Sequence, residues 1–150
     1  MILVDANLLL YALNEHAPEN ERSRAWLLEQ IARGGGICLT WSVVLTVMRL
    51  LTNRHVFKTP LGLDAAVALI GGWLAHPRVT LLAPGNEHWR ILSDLVRVGQ
   101  VRGDMLPDAH LAAIAIEHGA TLCSADRDFT RFDGLHLWNP LARPEPPRKR

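Results

Sequence analysis

Residues 1–5, Met-Ile-Leu-Val-Asp, form a continuously apolar run that ends in an acid. A run this short and this apolar predicts a strand buried on both faces. Comparable runs at 37–40 (Ile-Cys-Leu-Thr), 79–82 (Val-Thr-Leu-Leu), 120–124 (Ala-Thr-Leu-Cys-Ser) and 135–138 (Leu-His-Leu-Trp) predict four more. Between them the apolar positions recur at helical spacing. A short helix is expected over 7–13, and a second over about 19–33. Pro18 opens the second, Trp26, Leu27, Leu28 and Ile31 are its apolar positions, and Gly34-Gly35-Gly36 stops it. Further helices are predicted over 41–53, over 62–74 (starting near Asp64 and stopped before Pro77) and over 87–99. A sixth runs from Pro107 to Gly119, with Pro at its opening and Gly as its stop. Residues 53–60 read as a polar loop. Alternating strands and helices give an α/β chain, a parallel sheet with helices on both faces.

Length narrows this to one domain, since 150 residues is a usual size for a single core. With 49% apolar and 21% charged residues the chain is no disordered segment. No apolar run approaches the ~20 residues of a membrane span. The amino terminus lacks the basic region of a signal peptide, so a cytoplasmic protein is expected. Cys38 and Cys123 sit inside apolar runs with no zinc-like spacing, and are expected as reduced core thiols. The net charge of +1 is uneven. The Pro-rich tail, 142–150, holds four basic residues and one acid, which leaves 12 basic and 14 acidic residues before it. A body of that balance is no general polyanion binder, so any nucleic acid has to be met at a local site.

Four acids stand where predicted strands end or helices begin. Asp5 closes the first strand, Asp108 follows Pro107 in the first turn of the sixth helix, and Asp126 and Asp128 directly follow the fourth strand. Ligands of open α/β sheets bind outside the carboxyl ends of the strands. If the first and fourth strands are neighbours, Asp5 and Asp126 meet there. The sixth helix leads into the fourth strand, so Asp108 is expected at the opposite edge unless a long connection swings it round. Each acid also has an ordinary use: Asp108 suits a helix start, and Asp126 and Asp128 suit a turn. Asp5 is harder to explain that way, because a carboxylate ending a central strand is costly without partners. Acids on one rim repel unless a cation joins them. Hard oxygen donors without His or Cys suit Mg²⁺ or Mn²⁺, ions that activate water and stabilise charge on a phosphodiester.

Three segments carry a resemblance: Asp5-Ala-Asn-Leu-Leu-Leu-Tyr-Ala12, Pro107-Asp-Ala-His-Leu-Ala-Ala113 and Ser124-Ala-Asp-Arg-Asp-Phe129. Together with Gly134-Leu135 and Asn139-Pro140-Leu141, they resemble the PIN domain, and more narrowly the VapC-type ribonuclease toxins of the mycobacterial kind. The resemblance covers residues 1–141, leaving 142–150 as a basic tail. It implies a three-layer α/β/α fold with a five-stranded parallel sheet in the order 3-2-1-4-5. It implies Mg²⁺- or Mn²⁺-dependent cleavage of RNA phosphodiesters. Asp5, Asp108 and Asp126, with Asp128, fall on the family's catalytic and metal-binding positions. Asn7 and Ser124 fall on polar positions that support them. The family further implies a homodimer neutralised by a small antitoxin.

One departure stands out. Trp41-Ser-Val-Val-Leu-Thr-Val-Met-Arg49 matches a family helix, but Thr46 occupies the place of its usual Glu. Ser42, Thr46, Arg49 and Asn53 form a narrow polar stripe on that helix, either solvated or lining the acidic pocket. In the second case Thr46 supports a water without supplying charge. Arg49, with Arg54 and Lys58 of the basic loop, offers a contact for RNA phosphate. His110 is expected to face away from Asp108 and to be structural. Alternatives are a PIN-like domain that only binds RNA or a partner, a PIN nuclease of RNA maturation, and a haloacid-dehalogenase-like phosphatase. The last needs a second Asp where Asn7 stands.

Overall fold

A computed structural model describes residues 1–33 and 35–142. Five strands form one sheet: β1 (Ile2–Val4), β2 (Ile37–Leu39), β3 (Val79–Leu81), β4 (Thr121–Cys123) and β5 (His136–Trp138). All four pairings are parallel, in the order β3-β2-β1-β4-β5. The expected order 3-2-1-4-5 is therefore the observed one. Each strand is three residues long, one or two shorter than its apolar run. The flanking residues extend the ladder without full pairing, as where the Asp5 amide donates to the Cys123 carbonyl at 3.0 Å.

The helices are α1 (Ala6–Leu13), α2 (Asn20–Ala32), α3 (Trp41–Leu51), α4 (Leu63–Leu74), α5 (His88–Val98) and α6 (Leu106–Glu117). α1, α2, α3 and α4 pack on one another, and α5 packs on α6. With right-handed crossovers these two groups cover opposite faces of the sheet. The central strands are sealed accordingly: Leu3, Val4 and Leu122 have no exposed surface. α6 buries Ala109, Ala112, Ala113 and Ala115 completely, and side chains this small let the helix lie close to its neighbours.

Several ends move by a residue or two for local reasons. α1 starts at Ala6, one residue before the expected Asn7, because Asp5 caps it. α3 ends at Leu51, where the Thr52 hydroxyl turns back to the Met48 carbonyl at 3.0 Å. A 3-10 turn over Gly103–Met105 leads into α6, and another, Arg127–Arg131, follows β4. The loop after α3 is not wholly polar, since Phe57 is buried. The Gly34 stop and the basic tail from 143 onward lie outside the described residues. Both cysteines are buried and free, and burial pushes the Cys123 thiol up to about 12, so these are inert core thiols. Among the described residues no helix is long and apolar enough to cross a membrane.

Gly36 immediately precedes β2 at φ +66, and a Cβ there would stand 2.5 Å from the Arg78 carbonyl oxygen, which accepts from the Ile37 amide. Gly119 ends α6 at φ +61 with open space around it. Gly119→Ala is expected to cost only the left-handed strain, about 1–2 kcal/mol. Gly36→Ala adds a backbone collision and should cost roughly 1–3 kcal/mol more. Urea unfolding of the two variants checks the ranking.

Candidate active site

β1 pairs with β4 through Ile2 and Thr121, Leu3 and Leu122, and Val4 and Cys123. One residue beyond this register, Asp5 and Ser124 therefore stand side by side at the carboxyl edge. The Ser124 hydroxyl donates to Asp5 Oδ2 at 2.7 Å, while Asp5 Oδ1 accepts the Ala6 amide at 2.7 Å. The same Ser124 oxygen accepts from Asn7 Nδ2 and from the Asp126 amide, each at 3.0 Å. Ser124 is 1% exposed, so this junction is shielded from water. Asp126 in turn caps the following 3-10 turn, its Oδ1 accepting the Asp128 amide at 2.8 Å. Ser124 thus holds the Asp5 carboxylate and the Asp126 backbone, and Asn7 holds Ser124.

Asp108 lies in the first turn of α6, near enough to Asp5, Asp126 and Asp128 to be affected by their charges. Chain order alone left Asp108 at the opposite edge unless a long connection swung it round, and no such connection is needed. A helix that leads into a parallel strand runs antiparallel to it, so its beginning lies at the strand's carboxyl end without any detour. Partial burial pushes the Asp108 carboxyl up to about 6, aided by repulsion from Asp5, Asp126 and Asp128 and opposed by Arg131. Burial also raises Asp5, against the hydrogen bonds from Ser124 and Ala6 that lower it, with Asp126 adding repulsion. Asp126 and Asp128 are exposed. Among the described residues no three of His, Cys, Asp and Glu stand close enough to enclose an ion. The carboxylates form an open rim. Its hard oxygen donors fit a divalent cation in type.

The remaining positions divide. Ser42, at the start of α3, lines a cleft of about 870 Å³ with Leu106 and Pro107, next to Asp108. Thr46 lies one turn further along α3, half-buried, with its hydroxyl proton spent on the Ser42 carbonyl at 2.8 Å. Any water it helps to hold has to donate to it. Arg49 is exposed in the last turn of α3. Lys58 lines a cleft with Leu13, Asn14 and His16, at the end of α1 away from Asp5, and Arg54 is exposed in the same loop. The structure does not bring these two basic residues to the acids. His110 turns to His88, with Nδ1 2.9 Å from His88 Nε2, and burial with the second imidazole lowers its pKa. Sequence reasoning missed Arg131, whose number carries no pattern. Only the turn after β4 brings it to Asp128 and Asp108.

With this geometry in hand, the comparisons are direct. The PIN domain family model matches residues 2–135. Ribonuclease VapC37 of Mycobacterium tuberculosis is 36% identical over 95% of this chain and 99% of that protein. Ribonuclease VapC33 of the same species is 35% identical over 94% of this chain and 99% of its own length. Among solved structures, VapBC2 from Rickettsia felis, bound to a DNA fragment from its promoter, superposes with a TM-score of 0.67 at 19% identity, covering 93% of this chain and 98% of that one. VapC20 of M. tuberculosis, a sarcin-ricin loop cleaving toxin, gives 0.64 at 18% identity, covering 91% of this chain and 99% of that one. The chain belongs to the PIN-domain family, within its VapC ribonuclease branch.

The raised Asp108 value has a consequence for stability. A carboxyl raised on folding leaves the protein unpenalised below the ordinary value of 3.8 and penalised as pH rises through about 6. In chelator, Asp108→Asn should therefore melt above the wild type at pH 7.5. The gap should narrow as pH falls from about 6 and close below 3.8, where the wild-type carboxyl is protonated in both states. Melting curves of the two proteins across that range check this.

Proposed function

We propose that this chain is the toxin of a toxin–antitoxin pair, an endoribonuclease that uses Mg²⁺ or Mn²⁺ to hydrolyse RNA phosphodiester bonds. The observation that carries this reading is the gathering of Asp5, Asp126 and Asp128 around Asp108, whose carboxyl is raised to about 6 by partial burial first and by their repulsion second. A fold gains nothing from four repelling carboxylates unless a cation draws them together, which argues against a domain that only binds. Family membership supplies the ribonuclease activity and its dependence on a divalent metal. The choice of Mg²⁺ or Mn²⁺ rests on the all-oxygen donor set. Folds of relatives solved with their antitoxins support a small antitoxin as partner. Exposed Trp41, Leu45 and Trp89 supply apolar surface for it and for a second copy of the chain in a homodimer. Reduced core thiols and an RNA substrate suit the cytoplasm.

In this mechanism Asp5, Asp108 and Asp126 hold the ion, and Asp128 adds negative charge at the rim. Bound there, a divalent ion supplies charge stabilisation to the phosphate oxygens and makes water more acidic. Asp5 is kept in one rotamer by Ser124 and the Ala6 amide, so its free lone pairs point in a set direction. Ser124 also fixes the backbone of Asp126, so one hydroxyl orients two acids. Asp108 would have to be ionised to serve as a ligand, so a divalent cation would be held better above about pH 6 than below it. Asn7 locks the Ser124 rotamer from α1.

Asp5→Asn, Asp108→Asn and Asp126→Asn are each expected to lower RNA cleavage at least ~100-fold, because each removes a charge that binds the metal. Wild-type cleavage that persists in EDTA, or an Asp5→Asn protein that cuts at the wild-type rate, sinks the assignment. Millimolar Mn²⁺ should also raise the melting temperature of the wild type and not of Asp108→Asn.

Thr46→Glu should return a carboxylate to the face of α3 that begins at Ser42. The expected result is half-maximal cleavage at lower Mn²⁺ and a less stable metal-free fold. Calorimetric titration with Mn²⁺ beside a cleavage assay decides it, and no change in either places Thr46 outside the pocket.

A further inference from the structure

A phosphodiester that approaches this rim meets the charges of Asp5, Asp108, Asp126 and Asp128 before it meets any basic residue of the loop after α3. Among the described residues, Arg131 is a cation whose charge bears on Asp108 at this rim. Arg131 closes the 3-10 turn that carries Asp128 and follows Asp126. Its Nε–H donates to the Asp128 carbonyl at 3.0 Å, and its Nη2 lies 3.6 Å from Asp128 Oδ1. Its Nη1 reaches Met105 Sδ at 3.4 Å. Met105 is the residue before α6, three positions ahead of Asp108. The guanidinium therefore spans the seam between the segment with Asp126 and Asp128 and the helix start with Asp108. Its side chain is 32% exposed, fixed by neighbours yet reachable from solvent.

The three contacts differ in strength. The Nε–H bond to the Asp128 carbonyl anchors one edge of the guanidinium, and the Asp128 carboxylate at 3.6 Å adds an ion pair without a hydrogen bond. The third is to a thioether sulfur, a weak acceptor that a phosphate oxygen readily replaces. A planar fork whose outer edge is turned to a poor acceptor suits two oxygens of one phosphate. We propose that Arg131 is the substrate-phosphate contact of this site, exchanging the Met105 sulfur for non-bridging oxygens of the RNA backbone. This rests on the ribonuclease reading above and names the group that lets a polyanion dock beside four carboxylates.

The test uses the full chain as wild type, Arg131→Gln, Arg131→Lys and Arg33→Gln. Arg33 is an exposed residue just past α2, paired with Glu29, and it controls for the change in net charge. Steady-state cleavage of a short single-stranded RNA with Mn²⁺ is measured across a salt series, and Mn²⁺ binding by calorimetry. Arg131→Gln should lower kcat/KM about 10- to 100-fold, as for a lost charge-assisted phosphate contact. Its log–log salt dependence should be shallower by about one phosphate contact. Arg131→Lys should regain the salt slope and only part of the rate, because an ammonium is a point charge without the fork. Arg33→Gln should match the wild type. Mn²⁺ should bind Arg131→Gln at least as tightly as wild type, since a nearby positive charge is gone. Unchanged kcat/KM and slope in Arg131→Gln would overturn the proposal. So would a loss of Mn²⁺ affinity that parallels the loss of rate, which makes Arg131 a support for the acids. If the wild type itself fails to cut RNA with Mn²⁺, the ribonuclease reading fails separately. The Kd of a fluorescein-labelled RNA for wild type and Arg131→Gln then decides Arg131.

Discussion

The hydroxyl of Ser124 is the junction on which the site depends. It is buried, it donates one hydrogen bond to Asp5 and it accepts two, from Asn7 and from the Asp126 amide. Those partners belong to the end of β1, the start of α1 and the turn after β4. A single atom therefore ties the central strand pair to the two segments that follow it. A buried hydroxyl with all its capacity used is cheap to keep and costly to disturb. This is why the acid at the end of the central strand has one orientation rather than several.

Around that junction the protein holds an electrostatic conflict. Asp5 and Asp108 are both raised by burial and by other acids, so the metal-free fold works against itself at neutral pH. The helix ends soften the conflict locally. Asp5 accepts the first free amide of α1, and Asp126 accepts an amide of the 3-10 turn, so each carboxylate is also a cap. The same lone pairs that stabilise local structure leave their neighbours free for a cation.

The distribution of positive charge completes the picture. The body of the chain is slightly acidic, and Lys58 and Arg54 sit toward the other end of α1 and α3. Attraction of RNA to the rim thus depends on a local cation and on the ion, not on a general basic surface. Arg131 is placed for this by the turn that presents Asp128, so acid and base arrive on one short segment.

Much of this was legible in the residues. Short apolar runs alternating with helical periods pointed to a parallel α/β sheet, because its central strands β1, β2 and β4 are covered on both faces and carry no polar alternation. Asp5 was readable as special, since a carboxylate ending such a run needs partners, and the three motif segments pointed to the family and to its strand order. The helix start at Ala6 was not legible, because it depends on which atom the Asp5 side chain caps. The place of Asp108 was misjudged from the chain order, and only the antiparallel return of α6 to β4 brings it to the rim. Arg131 and the His88–His110 pair had no signal at all in the linear pattern. Sequence periodicity reports which residues are buried and in what element. It does not report which side chains from distant elements share a rim. That is decided by strand register and helix direction, which exist only once the sheet is assembled.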